Sequence, residues 1–162
     1  MTQAPLSVRF EVNGKSVDVT LPARTTLADC LRHHLRLTGT HVGCEHGVCG
    51  ACTVRLEGTI VRGCLTLAVQ CDGARVETIE GVSDSGTIAD LQDAFQKRNA
   101  LQCGFCTPGV LMAAQALLRD EPNPSRERIR EYLSGNYCRC TGYQAIVDAI
   151  EAVAKARASS SK

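Results

Sequence analysis

Gly43-Cys44-Glu45-His46-Gly47-Val48-Cys49-Gly50-Ala51-Cys52-Thr53-Val54 decides how the rest of this chain is read. Its three cysteines stand in C-x4-C-x2-C spacing, glycines lie between them, and no apolar period runs through the stretch. Such a segment is a loop, with glycines that permit left-handed backbone and close approach of another group. Ten cysteines in 162 residues sharpen the question. They form either a disulfide framework or metal sites. The first ten residues carry no apolar export segment and no twin arginine, so the expected location is cytoplasmic, where thiols stay reduced and clustered cysteines serve metals.

The bulk composition narrows the classes. With 44% hydrophobic and 22% charged residues the chain reads as an ordinary globular protein. A net charge of +1 gives no electrostatic footprint for nucleic acid or an acidic membrane. There is no Trp, and three Phe and three Tyr make no platform for stacking bases. The longest apolar stretch, Val110 to Leu118, is interrupted by Gln115 and too short to span a bilayer.

Outward from the loop, the chain changes character once. Before it, Leu6, Val8, Phe10 and Val12 alternate with polar residues, and Val17, Val19 and Leu21 do so again. Asn13-Gly14 between the runs predicts a hairpin with a type I′ turn. Thr26 with Asp29 predicts a capped helix carrying Leu27, Cys30, Leu31 and Leu35 on one face. After the loop, strand-like runs occupy Thr53–Leu56, Thr59–Leu65 and Arg75–Ile79, with turns at Gly58 and Asp72-Gly73. Gly81 to Gly86 reads as a polar connector. Beyond it the period is helical. Thr87 with Asp90 forms a cap signature, Thr107-Pro108 starts a helix with proline where no N–H is needed, Asn123-Pro124-Ser125 opens a third, and Ile146, Val147, Ile150 and Val153 line a fourth. The expected division is a β unit over 1–81, a helical unit over 86–157 and a loose tail over 158–162. The mixed charges from Arg119 to Glu131 read as a solvated surface.

Cys44, Cys49 and Cys52, with Cys64 a strand further on, have the spacing of plant-type [2Fe–2S] ferredoxins. Two irons bridged by two sulfides need four thiolates, and glycines let backbone N–H groups turn toward the sulfurs. Zinc would want a second C-x2-C at the usual distance, which is missing. A Rieske centre would want two histidines, and Cys49-Gly50-Ala51-Cys52 contains none, so His46 reads as a solvated loop residue. A second group follows. Cys103-Gly104-Phe105-Cys106 and Cys138-Arg139-Cys140 each precede a helix, where a thiolate is stabilised. A thioredoxin-type redox pair would need a βαβ setting. Cys30 and Cys71 read as buried structural cysteines. His33, His34 and His41 have no ligand spacing around them.

The three motifs, G-C-E-H-G-V-C-G-A-C-T-V over 43–54, Q-C-G-F-C-T-P-G over 102–109 and N-Y-C-R-C-T-G-Y over 136–143, closely resemble the small iron–sulfur subunit of the xanthine oxidase family of molybdenum hydroxylases. The resemblance covers about residues 5–155 and implies an α+β architecture: an N-terminal β-grasp ferredoxin domain followed by a C-terminal four-helix domain. It implies two [2Fe–2S] clusters, one on Cys44, Cys49, Cys52 and Cys64, the other on Cys103, Cys106, Cys138 and Cys140. It places Gln102 and the Cys140 region against the edge of a molybdopterin held by a large partner subunit. It further implies FAD in a medium subunit, a dimer of heterotrimers, and electrons moving from molybdopterin through the helical cluster and then the ferredoxin-type cluster to FAD. No carboxylate pair, nucleophile with a base, or phosphate loop is evident, so no substrate chemistry is expected on this chain. A free-standing two-cluster ferredoxin is the alternative, and a zinc-stabilised binding module a third reading.

Overall fold

In the computed structural model, which describes residues 4–160, the first half is one five-stranded sheet. Its strands are β1 (Leu6–Val12), β2 (Lys15–Leu21), β3 (Thr53–Leu56), β4 (Thr59–Arg62) and β5 (Arg75–Glu77), in spatial order β2-β1-β5-β3-β4. Only β1 and β5 run parallel, the others pairing antiparallel. The hairpin register follows from the turn: Val12 faces Lys15, and Asn13 and Gly14 take φ of 51° and 78° as a type I′ turn demands. Val8, Phe10 and Val12 point into the core with Leu21, Leu27, Leu31, Val54 and Val76, which is the β-grasp arrangement of a sheet closed over a helix. That helix is short. Thr26 caps it by accepting the Asp29 N–H at 3.1 Å, and after Leu27–Asp29 (α1) the backbone widens into a π turn over Cys30–His34. Cys30 and Cys71 lie fully buried in the same core, and burial pushes the Cys30 thiol up to about 11 and the Cys71 thiol up as well. His33 and His34 are exposed.

The second half is helical: α2 (Ile79–Asp84), α3 (Ala89–Lys97), α4 (Thr107–Asp120), α5 (Arg126–Tyr132) and α6 (Gln144–Ser160). The four expected helices are α3 to α6. Helix α4 is buried on every side from Gly109 to Leu118, as the central helix of a small bundle must be. Pro108 sits in its first turn, and Ser125 caps α5 by accepting the Arg128 N–H at 3.2 Å.

Three expectations fail locally. The connector over 81–86 is mostly helix α2, because Val82 is buried in the helical core and Ile79 packs against it. Thr87 does not cap α3. Its hydroxyl pairs with Ser85, while the Asp90 carboxylate is taken by Arg157 at 2.7 Å. The tail is not loose as far as Ser160, which still belongs to α6, and residues 161–162 lie outside the described part. Within the charged stretch, Arg126 does more than face water: it ties α5 to α6 through Asp148 at 2.7 Å and Glu151 at 2.6 Å.

The two halves pack directly, α4 lying on β3 and β4. At the junction the Arg55 guanidinium, 8% exposed, donates to Glu77 at 2.7 Å and to the buried Gln115 of α4. The residue that interrupts the longest apolar run is therefore the helix's link to the sheet.

Candidate iron–sulfur centre

The loop of Cys44, Cys49 and Cys52 is built from left-handed backbone, with Glu45, Gly47 and Gly50 at φ of 57°, 84° and 74°. These turns aim N–H groups inward. The Cys49 N–H donates to the Cys44 sulfur at 3.4 Å. Hydrogen bonds from the backbone of Cys49, His46 and Val48 hold the Cys44 thiol down at about 6, so it is a ready thiolate at neutral pH. Cys64, beyond the end of β4, is buried, and burial pushes its thiol up to about 11. His46 is exposed and its Nδ1 meets the Cys44 carbonyl rather than a shared centre.

The second set comes from two loops far apart in sequence. Cys103 and Cys106 precede α4, and Cys138 and Cys140 precede α6. The sulfurs of Cys103 and Cys140 lie 3.6 Å apart and are exposed. Cys106 is directed inward, and burial followed by its hydrogen bond with Cys138 pushes it up to about 12. Burial acts upward on Cys138 too, but hydrogen bonds from Thr141 and the backbone of Cys140 leave its thiol below the ordinary value. Gln102 donates its amide Nε2 to the Cys140 carbonyl at 2.9 Å and stands exposed beside the outer pair.

The thiols therefore meet two by two: Cys44 with Cys49, Cys52 with Cys64, Cys103 with Cys140, and Cys106 with Cys138. Among the described residues no three His, Cys, Asp or Glu side chains converge as they would around a single metal ion. The pairwise arrangement of the thiols fits a binuclear cluster, in which each iron would take two of the four thiolates. The donor set is all sulfur, the chemistry such a cluster needs.

The two loops also touch each other. The Tyr137 N–H donates to the Cys49 carbonyl at 2.8 Å, and the buried Asn136 amide donates to the Gly50 carbonyl at 3.1 Å. A Cβ on Gly50 would lie 2.4 Å from the Gly135 carbonyl oxygen, and one on Gly109 would lie 2.3 Å from that of Gly50, so glycine is what lets the loops close. On the other side His41 stacks on Phe105 with centroids 4.7 Å apart and its Nδ1 at 2.8 Å from the Phe105 carbonyl. Sequence reasoning missed these joins, because backbone contacts leave no side-chain signal. The glycines at 50, 109 and 135, each beside a cysteine motif, were the trace available.

Comparison with known proteins agrees with this geometry. Residues 10–76 match the family of the 2Fe-2S iron-sulfur cluster binding domain, and residues 78–151 match that of the [2Fe-2S] binding domain. The chain is 54% identical over 145 residues to the nicotine 6-hydroxylase small subunit of Paenarthrobacter nicotinovorans, covering 90% of this chain and 87% of that one. It is 50% identical over 149 residues to the caffeine dehydrogenase subunit gamma of Pseudomonas sp. (strain CBB1), covering 90% and 89%. Among solved structures it superposes on a chain of quinoline 2-oxidoreductase from Pseudomonas putida 86 with a TM-score of 0.90 at 48% identity, covering 97% of this chain and 98% of that one. These relatives are parts of hydroxylases and dehydrogenases, not free-standing ferredoxins. No helix among the described residues is long and apolar enough to cross a membrane. Two cluster-binding halves, joined loop to loop and matched over nine-tenths of the chain or more by such subunits, place the chain in the family of small [2Fe–2S] electron-transfer subunits of the xanthine oxidase-type molybdenum hydroxylases.

Proposed function

We propose that this chain is the electron conduit of a cytoplasmic heterotrimer, doubled into a dimer, between a large molybdopterin subunit and a medium FAD subunit. The sets we assign are Cys44, Cys49, Cys52 and Cys64 for one cluster and Cys103, Cys106, Cys138 and Cys140 for the other, with the units dividing between β5 and α2. When bound, such clusters store and release single electrons. The residues do the rest. Gln102 and Cys140, exposed beside one another, present the helical site to the pterin edge. The loop of Cys44 presents the other site to FAD.

The observation that carries the reading is the Tyr137 N–H to Cys49 carbonyl bond of 2.8 Å. From the Cys138 sulfur to the Cys49 sulfur the route is the two cysteine side chains, the backbone of Cys138, Tyr137 and Cys49, and one hydrogen bond. It needs no gap crossed through solvent. All three relatives are named for nitrogen heterocycles, and a nitrogen heterocycle is the substrate class we propose for the complex, with the choice lying in the large subunit. The test is purification of the complex and assay for iron, molybdenum and FAD, with reduction by substrate followed by EPR. Two distinct [2Fe–2S] signals that rise on adding substrate support the proposal. A chain that elutes alone, fully folded, and reduces a soluble acceptor contradicts it.

A further inference from the structure

We infer that Thr141 is a positioning residue for the helical cluster, its hydroxyl donating to the Cys138 sulfur and raising that cluster's midpoint potential. The inference rests on the proposed role of Cys138 as a ligand. Thr141 Oγ1 lies 3.1 Å from the Cys138 sulfur, and the Thr141 N–H points at the same sulfur at 3.4 Å. The direction of the hydroxyl proton is settled by what surrounds it. The Tyr143 N–H donates to Thr141 Oγ1 at 3.2 Å, occupying a lone pair and leaving the proton to face sulfur. The Cys138 N–H in turn donates to the Tyr143 hydroxyl at 2.8 Å. The result is a closed ring of donors, Cys138 to Tyr143, Tyr143 to Thr141, Thr141 to Cys138. Gly142 and Tyr143, both left-handed at φ of 66° and 69°, fold the chain back to close it.

A left-handed Tyr is strained, and the ring over-determines it. Neither Thr141 nor Tyr143 is needed to supply a thiolate, and a thiolate that accepts hydrogen bonds better tolerates the charge added on reduction. Among the side-chain hydroxyls of the described residues, no comparable donor reaches Cys44, whose hydrogen bonds come from backbone and from Cys49. Both Cys44 and Cys138 accept backbone hydrogen bonds, and Cys138 takes in addition a side-chain hydroxyl that substitution can remove.

The experiment is an EPR-monitored redox titration of the full chain in its complex, comparing the natural protein with Thr141→Val and Thr141→Ser. Thr141→Val keeps the shape and removes the donor. It is expected to lower the reduced-to-oxidised ratio of the helical cluster about threefold at fixed potential, about 28 mV at 59 mV per tenfold for one electron. The ferredoxin-type midpoint stays in place, and Thr141→Ser restores the natural value. If valine is not accommodated and iron is lost, Thr141→Ala removes the same hydroxyl with less bulk and carries the same expectation. An unchanged helical midpoint with iron retained overturns the inference, as does an equal shift of both clusters. Cys138→Ala separates the two levels. Loss of about half the iron supports the ligand assignment, so an unmoved Thr141→Val midpoint then sinks only the hydroxyl. Full retention of iron sinks the assignment and the inference together.

Discussion

The two sulfur sites solve one chemical problem in opposite ways. The first is nearly local: three of its cysteines lie within one loop of left-handed turns, and backbone N–H groups hold Cys44 as a thiolate near pH 6. The second is assembled by tertiary structure. Its two loops meet only because α4 and α6 pack in the same core, its inner thiol Cys106 sits at about 12, and its outer pair is open to a partner. Three thiols of the first site share one loop, whereas every pair in the helical site joins segments more than thirty residues apart. The position of each in the fold matches the difference. The packed join between loops connects them, and each keeps an exposed side.

The largest effect that tests this comparison is the loss of one cluster alone. Cys140→Ser or Cys106→Ser is expected to remove about half the iron and the helical EPR signal, leaving the ferredoxin-type signal, and Cys44→Ser to do the converse. Loss of both signals in either variant would mean that the sites are not separate. Next comes the core beneath the helical site. Phe95 is buried among the helices, and Phe95→Ala should cost about 3–5 kcal/mol. Iron at the helical site is expected to fall more than iron at the loop site, read by EPR spin quantitation.

A smaller and sharper test is Gly109→Ala. The new methyl meets the Gly50 carbonyl at 2.3 Å, backbone that cannot simply step aside. We expect a cost of about 1–3 kcal/mol, seen as a fall in Tm of several degrees, and slower electron exchange between the clusters. Unchanged Tm and exchange would show that the loops are not in contact there.

The smallest effect is in pH. Without iron, Cys44 has its thiol lowered from 9.0 to about 6 in the folded chain. Its contribution to stability is therefore full above the unfolded value near 9 and disappears as pH falls through about 6. Cys106, pushed up to about 12, behaves in the opposite sense. Iodoacetamide at pH 7 should label Cys44 well before Cys106, with the Cys44 rate dropping below pH 6, as peptide mass spectrometry would report. Equal rates would remove the contrast in readiness.

Much of this was legible in the sequence where the physics is local. Asn13-Gly14 defined a hairpin register, Thr26 made the cap its neighbours implied, Asn123-Pro124-Ser125 opened a helix, and the cysteine spacing pointed to the loop site. Legibility ended where a distant residue competes. Asp90 completes a capping pattern on paper, but Arg157 arrives from α6 and takes it. The 81–86 segment looked polar because its one buried residue, Val82, finds a core built from later helices. Gln115 looked like a flaw in an apolar run until Arg55 came from the sheet to meet it. In the helical site the motifs were visible, but their pairing, Cys103 with Cys140 and Cys106 with Cys138, exists only after α4 and α6 pack.

The most direct test of the central claim is iron and acid-labile sulfide per chain, measured on anaerobically prepared protein. The account predicts about four of each, two per cluster. About two of each would mean that one site, and with it the series of two centres, does not exist, and zinc without labile sulfide would contradict electron transfer by this chain altogether.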